Sequence, residues 1–127
     1  VELTTKFLRQ ASNAGENSYV FAYRVRIINH NAYRIQVWSR RWVLEDDEGN
    51  KVEVDGLGVV GHTPFLNPDQ SFVYYSGTTV GTLNATMEGE LGCTRPDDPA
   101  GSDEKFHVQV ARTALIGQEA GDQVDKP

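Results

Sequence analysis

The sequence contains a single cysteine, Cys93, among its 127 residues. One thiol cannot form an internal disulfide, and it excludes zinc sites that are built from several thiolates. Because disulfides are rare in reducing compartments, we expect a cytoplasmic location. The first residues lack the apolar segment of a signal peptide, and no apolar run approaches the roughly 18 residues of a membrane helix. We therefore expect no membrane partner.

Positive charge is also scarce. Twelve Lys and Arg residues stand against 18 Asp and Glu residues, which gives a formal net charge of −6. Duplex nucleic acid and anionic membranes attract proteins that have a positive surface, so the composition argues against both as partners. The arginines are unevenly distributed, however, and the net charge does not exclude a local basic face. Five of them lie between residues 24 and 41: Arg24, Arg26, Arg34, Arg40 and Arg41.

Helical periodicity is lacking throughout, whereas alternation of apolar and polar residues recurs. The clearest strand covers residues 19–28. One face of this strand is apolar: Phe21, Tyr23, Val25 and Ile27. About seven or eight short strands separated by turn signals predict an all-β fold, an antiparallel β-sandwich. We predict one domain over residues 1–117 and a disordered acidic tail over residues 118–127.

The strand predicted over residues 34–45 changes the parity of its apolar positions. Ile35 and Val37 are odd-numbered, whereas both tryptophans and Leu44 are even-numbered. A β-bulge inserts one extra residue and thereby reverses which parity faces the core. We predict such a bulge near residues 39–40, and we expect at least one of the tryptophans to be buried.

Three glycines with G-x-G-x-x-G spacing, Gly56, Gly58 and Gly61, form the most distinctive motif. In a dinucleotide-binding βαβ unit, a helix follows this motif and an acidic residue lies about 20 positions further on. Here Pro64 and Pro68 prevent the helix, and no acidic residue lies at that distance. The dinucleotide interpretation is therefore excluded.

Two other interpretations of this glycine loop stay open. In the first, the loop is a tight connection in which glycine is required by space alone. In the second, its N–H groups bind a small anion such as pyrophosphate. An anion needs cations nearby, and Arg40 and Arg41 are the candidates, with His62 at the exit of the loop as a further ligand. Alternatively, the arginines pair across strands with carboxylates such as Glu53.

No pattern for catalysis or metal binding emerges. The three histidines, His30, His62 and His107, do not have metal-ligand spacing. The acidic residues 46–50 lack the 12-residue pattern of a calcium loop. Cys93 has no adjacent histidine, and no G-x-S-x-G motif is present. We predict a non-enzyme that has neither catalytic nor metal-binding residues and needs no cofactor.

Several of these motifs together resemble the ApaG domain (CorD-like) family. The resemblance rests on Ser39-Arg40-Arg41-Trp42, the glycine loop, Pro64, Ser76-Gly77, Met87-Glu88-Gly89 and Phe106-His107-Val108. It covers nearly the whole chain between residues 19 and 110. The family's isoleucine-proline ending is replaced here by Val110-Ala111. The resemblance implies a sandwich of the fibronectin type III or immunoglobulin-like type, in agreement with the strand count.

The resemblance also implies functions. Bacterial ApaG proteins are linked to cobalt and magnesium resistance, and similar domains in eukaryotic F-box and polymerase-interacting proteins look like protein-binding modules. The family's glycine loop has been proposed to bind pyrophosphate. We therefore expect a non-catalytic module that binds another protein. The alternative is a sensor of pyrophosphate or nucleotide phosphate, linked to divalent cation homeostasis, and a phosphohydrolase at the same site is a weaker option. The sensor would use Gly56, Gly58, Gly61, His62, Arg40 and Arg41.

Overall fold

A computed structural model describes residues 1–101 and 105–117, so the tail predicted over residues 118–127 lies outside the described part. Within it the chain forms eight β-strands, and its only helical segments are two 3-10 turns, Arg9–Ala11 and Ala14–Glu16. None of the helical segments in these ranges is long and apolar enough to cross a membrane.

The strands form two antiparallel sheets. In chain order they are β1 Glu2–Phe7, β2 Tyr19–Ile28, β3 Ile35–Asp46, β4 Lys51–Leu57, β5 Phe65–Leu66, β6 Ser71–Val80, β7 Asn84–Thr94 and β8 Lys105–Ile116. The first sheet has the order β1-β2-β6. The second has the order β4-β3-β7-β8, and the short β5 also pairs with β3. This confirms the predicted all-β sandwich of the fibronectin type III or immunoglobulin-like class.

The core lies between the two sheets and is built by alternate residues of each strand. The predicted apolar face of β2 is buried, from Phe21 to Ile27. From the opposite sheet, Trp42 of β3 and Leu91 of β7 are almost completely buried. The rings of Tyr23 and Trp42 meet edge to face across the two sheets, with centroids 6.0 Å apart. Such aromatic pairs add to the hydrophobic burial that stabilises the sandwich.

The predicted β-bulge is present and lies slightly earlier than expected. The pairing of β3 with β7 shifts register between Val37 and Ser39, so Trp38 is the extra residue. Val37 before the bulge and Trp42 after it are both buried, although their numbers differ in parity. Trp38 itself is 39% exposed, and its indole N–H donates to Thr94 Oγ1 at 2.8 Å.

The two long sides of the sandwich differ. On one side β1 lies against β8, and Thr5 Oγ1 donates to the carbonyl of Ala114 at 3.4 Å. On the other side β4 and β6 are edge strands, each paired in the described residues with one neighbour only. The glycine loop begins at the end of β4, and it therefore lies on the surface at one end of an edge strand.

Candidate functional site

The glycine loop uses several of its own backbone groups for internal hydrogen bonds. The N–H of Gly58 donates to the carbonyl of Trp38 in the β-bulge. Val59 and His62 exchange two hydrogen bonds, with N–O distances of 2.7 and 3.1 Å. The side chain of Val59 is fully buried and anchors the loop in the core. The N–H groups of Gly58, Val59 and His62 are thus already satisfied within the protein.

Between Val59 and His62 the chain turns over two residues. Val60 has a φ of 52° and Gly61 a φ of 80°. Positive φ at both central positions is the signature of a type I′ turn, which joins two antiparallel segments tightly. The G-x-x-G part of the motif is therefore a minimal hairpin.

Gly58 is required by both conformation and space. Its φ is 73°, and a Cβ at this position would lie 2.7 Å from the carbonyl oxygen of His62. Backbone atoms cannot move aside as the tip of a flexible side chain can. Of the two interpretations of the loop, the steric one accounts for this glycine.

Val60 occupies an uncommon backbone region for its residue type. A β-branched residue at positive φ is strained, and asparagine or glycine is preferred at this turn position. The strain is of the order of 1 kcal/mol. The Val60 side chain is 51% exposed, so burial does not offset this strain.

The side chain of Arg40 donates hydrogen bonds to carbonyl groups of the glycine loop. Its Nη1 donates to the carbonyl oxygens of Leu57 at 3.3 Å and Gly58 at 3.0 Å. The guanidinium lies over Gly56, where a Cβ would come within 2.6 Å of Nη1. Arg40 shares its parity with the buried Trp42 and therefore starts from the inner side of β3.

Arg41 has the opposite parity and faces outward, where it is balanced by carboxylates. Its guanidinium forms ion pairs with Glu53 at 3.1 Å and Asp55 at 3.6 Å, both on β4. Hydrogen bonding to Glu53, followed by the attraction of the nearby carboxylates, raises the pKa of Arg41. The structure thus places Arg41 in the cross-strand pairing that was the alternative to anion binding.

His62 lies at the exit of the loop and is exposed. Its ring centroid is 5.8 Å from that of Phe72 on β6, in a tilted arrangement. This contact connects the glycine loop to the first sheet. The structure therefore brings His62 to β6, while Arg40 is bound to the loop carbonyls and Arg41 to β4.

A depression of about 400 Å³ lies on the outer face of the second sheet beside the loop. Its lining includes Ser39, Asp55, Glu90, Gly92 and His107. Gly92 leaves room in the depression for the Ser39 side chain, because a Cβ at this glycine would collide with Ser39 Oγ. His107 Nε2 lies 3.9 Å from a carboxylate oxygen of Glu90, which is beyond hydrogen-bonding distance.

Two arginines, Arg40 and Arg41, and two carboxylates, Asp55 and Glu90, line the depression. Arg41 is surrounded by Glu53, Asp55 and Glu90, all of which raise its pKa. Around Arg41 itself, three carboxylates outnumber one guanidinium, which favours a basic group of a partner over an anion at this point. No group of three or more His, Cys, Asp or Glu residues that could hold a metal ion occurs in residues 1–101 and 105–117.

Sequence reasoning missed the part of this depression that lies beyond β3 and β4. Ser39, Gly92 and His107 come from three strands and become neighbours only through the pairing register. Ser39 pairs with Gly92, which in turn pairs with His107. Alternation along β7 and β8 indicates which side chains face outward. A single sequence does not give the register between neighbouring strands.

Exposed apolar side chains surround the loop. Leu57, at the end of β4, is 83% exposed. Val60 in the turn of the loop is also partly exposed, and so is Trp38, whose carbonyl accepts from the N–H of Gly58. We call these three residues, Trp38, Leu57 and Val60, the apolar rim. The rim borders the depression, to whose lining Leu57 also belongs.

Comparison with known proteins gives consistent matches. A sequence profile described as the ApaG domain matches residues 9–95. The chain is 42% identical over 115 residues to Protein ApaG of Ralstonia nicotianae, covering 91% of this chain and 89% of that relative. It is 44% identical over 115 residues to Protein ApaG of a Methylobacterium species, covering 91% and 85%. The crystal structure of the ApaA protein from Bordetella pertussis has a TM-score of 0.84 at 36% identity, covering 91% of this chain and 90% of that one.

Proposed function

The chain belongs to the ApaG domain family, and on that premise we propose that it is a non-catalytic module that binds another protein through the apolar rim. The observation that carries this proposal is the orientation of the glycine loop. The loop directs the N–H groups of Gly58 and Val59 inward and exposes the side chains of Leu57 and Val60. A loop with this orientation presents apolar side chains to a binding partner.

Clustered apolar side chains on a protein surface commonly mark a site of interaction. Binding energy at protein interfaces is concentrated in a few buried anchors that are surrounded by polar groups. Leu57 has the exposure of such an anchor, and Trp38 provides a large flat surface next to it. The carboxylates and Arg41 of the depression provide the polar surroundings.

The strained Val60 supports the same proposal. A residue in an unfavourable backbone region persists when the structure holds it there for a purpose other than stability. Asparagine at this position would relieve the strain but would present a polar group. The presence of valine at φ 52° is accounted for if a partner buries its side chain.

The carboxylates around Arg41 define the chemistry of the partner. A lysine or arginine side chain that enters beside Glu90 and Asp55 would gain their attraction while Leu57 contacts an apolar neighbour. We therefore propose a partner surface that combines an apolar residue with a basic one. A small phosphate anion is the less favoured ligand, because the Arg40 donor is bound to carbonyls and Arg41 to carboxylates.

Several features favour binding over catalysis. In the depression, Glu90 and His107 are too far apart for a hydrogen bond that would orient a catalytic base. The Cys93 thiol is buried, and burial raises its pKa to about 11, so it is not activated as a nucleophile. A cytoplasmic location and a link to divalent cation homeostasis stay predictions.

Site-specific photo-crosslinking tests the proposal in living cells. A photoreactive phenylalanine analogue at position 57 should give a discrete protein adduct of defined mass. The matched control is the same analogue at Val52, which is 58% exposed on the same strand, β4. No adduct at position 57, or the same adduct from both positions, would refute binding through the apolar rim.

A further inference from the structure

The edge strand β6 lacks the features that normally prevent edge strands from pairing with other chains. It contains ten residues, Ser71–Val80, and pairs only with β2 in the part of the chain that the structure describes. None of the ten is charged, and none is proline. Natural edge strands are usually protected by charges, prolines or bulges. The strands β1, β4 and β8 carry such charges: Glu2, Lys6, Lys51, Glu53, Asp55, Lys105 and Arg112.

The outer surface of β6 is also apolar. Tyr75 is 67% exposed and Val73 36% exposed, and both lie on the face away from the core. In an antiparallel ladder about half of the backbone N–H and C=O groups of an edge strand point away from its neighbour. β6 therefore offers a row of backbone hydrogen-bonding groups along with an aromatic and an aliphatic side chain.

We propose that β6 is a homodimerisation edge, which pairs with β6 of a second copy in an antiparallel manner about a two-fold axis. The first sheet of each copy would then join into one continuous six-stranded sheet. This proposal goes beyond partner binding at the apolar rim, because the rim belongs to the second sheet and the loop that follows β4.

The absence of charge points to a second copy as the occupant. In a two-fold antiparallel pair, residues near the axis lie opposite their own copies. A charged residue would thus face the same charge at about 5 Å, which is destabilising. β6 is the edge strand in the described residues that avoids this conflict along its full length.

The centre of β6 suits such a pair. The outer faces of both copies lie on the same side of the joined sheet, so residues of equal parity are opposite each other. With the axis at the middle of the strand, Tyr75 lies opposite either its own copy or the partner's Gly77. Both arrangements bury the exposed tyrosine ring, in the second case over a glycine that has no side chain.

The charged residues on β2, the strand next to β6, do not oppose the pairing of two β6 strands. Arg24 lies next to Tyr75 in the pairing of β2 with β6. Three strand spacings would separate it from its copy, about 14 Å, which exceeds the screening length of about 8 Å at physiological salt. Arg26 is paired with Glu2 at 3.3 Å. Because each copy carries a net charge of −6, the whole molecules repel, and salt should strengthen the dimer.

Sedimentation velocity tests this inference with the purified chain. From about 5 to about 500 µM, the mass should rise from 14.1 kDa towards twice that value, as for micromolar association. Association should be stronger at about 0.5 M salt than at 0.05 M. Tyr75→Lys places two like charges near the axis and should weaken association at least about tenfold. Ile116→Lys adds a charge at an exposed apolar residue of another edge strand, β8, and should leave association unchanged.

A monomer at every concentration and salt level would overturn the proposal. So would a Tyr75→Lys protein that dimerises like the wild type, or an Ile116→Lys protein that loses the dimer. Circular dichroism and thermal unfolding establish whether both variants are folded. If Tyr75→Lys does not fold, amide hydrogen exchange of the wild type decides: β6 amides should gain protection with concentration and β4 amides should not. Leu57→Asp should leave the dimer intact, which separates this inference from partner binding.

Discussion

The guanidinium of Arg40 lies across Gly56, so close that a Cβ at this glycine would meet Nη1 at 2.6 Å. The same Nη1 donates to the carbonyl of Gly58 at 3.0 Å. The arginine of the Ser-Arg-Arg-Trp motif and the first glycines of the loop therefore form one structural unit. A Cβ at Gly56 would displace the guanidinium, and a long donor such as arginine is needed to reach the loop carbonyls.

The first prediction concerns this unit. Replacing Arg40 by alanine removes the donor for two carbonyls and should lower the free energy of unfolding by about 1–2 kcal/mol. The control is Arg41→Ala, which removes only exposed ion pairs and should change stability little. Urea denaturation of both variants measures the difference. An equal loss for both would show that the Arg40 hydrogen bonds do not hold the loop.

The second prediction separates two glycines of the same loop. Gly58→Ala introduces a Cβ against the carbonyl oxygen of His62 and should cost about 1–3 kcal/mol of stability. Gly61 also has a positive φ, but nothing lies within 4 Å of its Cβ position. Gly61→Ala should therefore lower the free energy of unfolding by only about 1 kcal/mol, the preference of a positive φ for glycine. If thermal unfolding ranks Gly61→Ala as the more damaging change, the steric account of Gly58 is wrong.

The third prediction concerns Val60. Val60→Asn places a preferred residue at the first central position of the type I′ turn and should raise the free energy of unfolding by about 1 kcal/mol. Val60→Thr keeps the β-branched shape and hence the strain, so it is the matched control and should not stabilise. Chemical denaturation tests both. No gain for Val60→Asn would mean that the backbone at φ 52° is not strained.

The fourth prediction distinguishes protein binding from anion sensing. Titration with pyrophosphate, with and without magnesium, should leave the amide resonances of Gly56, Gly58 and Gly61 unchanged up to millimolar concentration. The reason is that Gly58 already donates to Trp38 and that both nearby arginines have protein partners. Saturable shifts at these amides, lost in Arg40→Ala, would instead support the sensor.

The strands were predictable because burial on one face imposes alternation that a single sequence displays. The buried face of β2 and the bulge in β3 were both expected, and the bulge lies at Trp38, slightly before the expected position. Packing decides such a shift, because Trp38 extends to Thr94 on the neighbouring strand. The sequence carries no local signal for that contact.

The candidate site was less predictable because it depends on which strands are neighbours. The glycine motif identified the loop, but not the internal hydrogen bonds that occupy its N–H groups. The depression requires Ser39, Gly92 and His107 to align across three strands, with a further bulge between Met87 and Gly89. Ser39 and Gly92 are 53 residues apart in the sequence, and pairing over that distance is set by the whole fold.

The fifth prediction tests the central claim that the apolar rim binds a protein. Once crosslinking has identified the partner, calorimetry with purified proteins compares the wild type, Leu57→Asp and Val52→Asp. Leu57→Asp should weaken binding at least about tenfold, because it places a charge where an apolar anchor is buried. Val52→Asp, on the same strand but outside the rim, should bind like the wild type. Equal affinity for all three proteins would contradict the account.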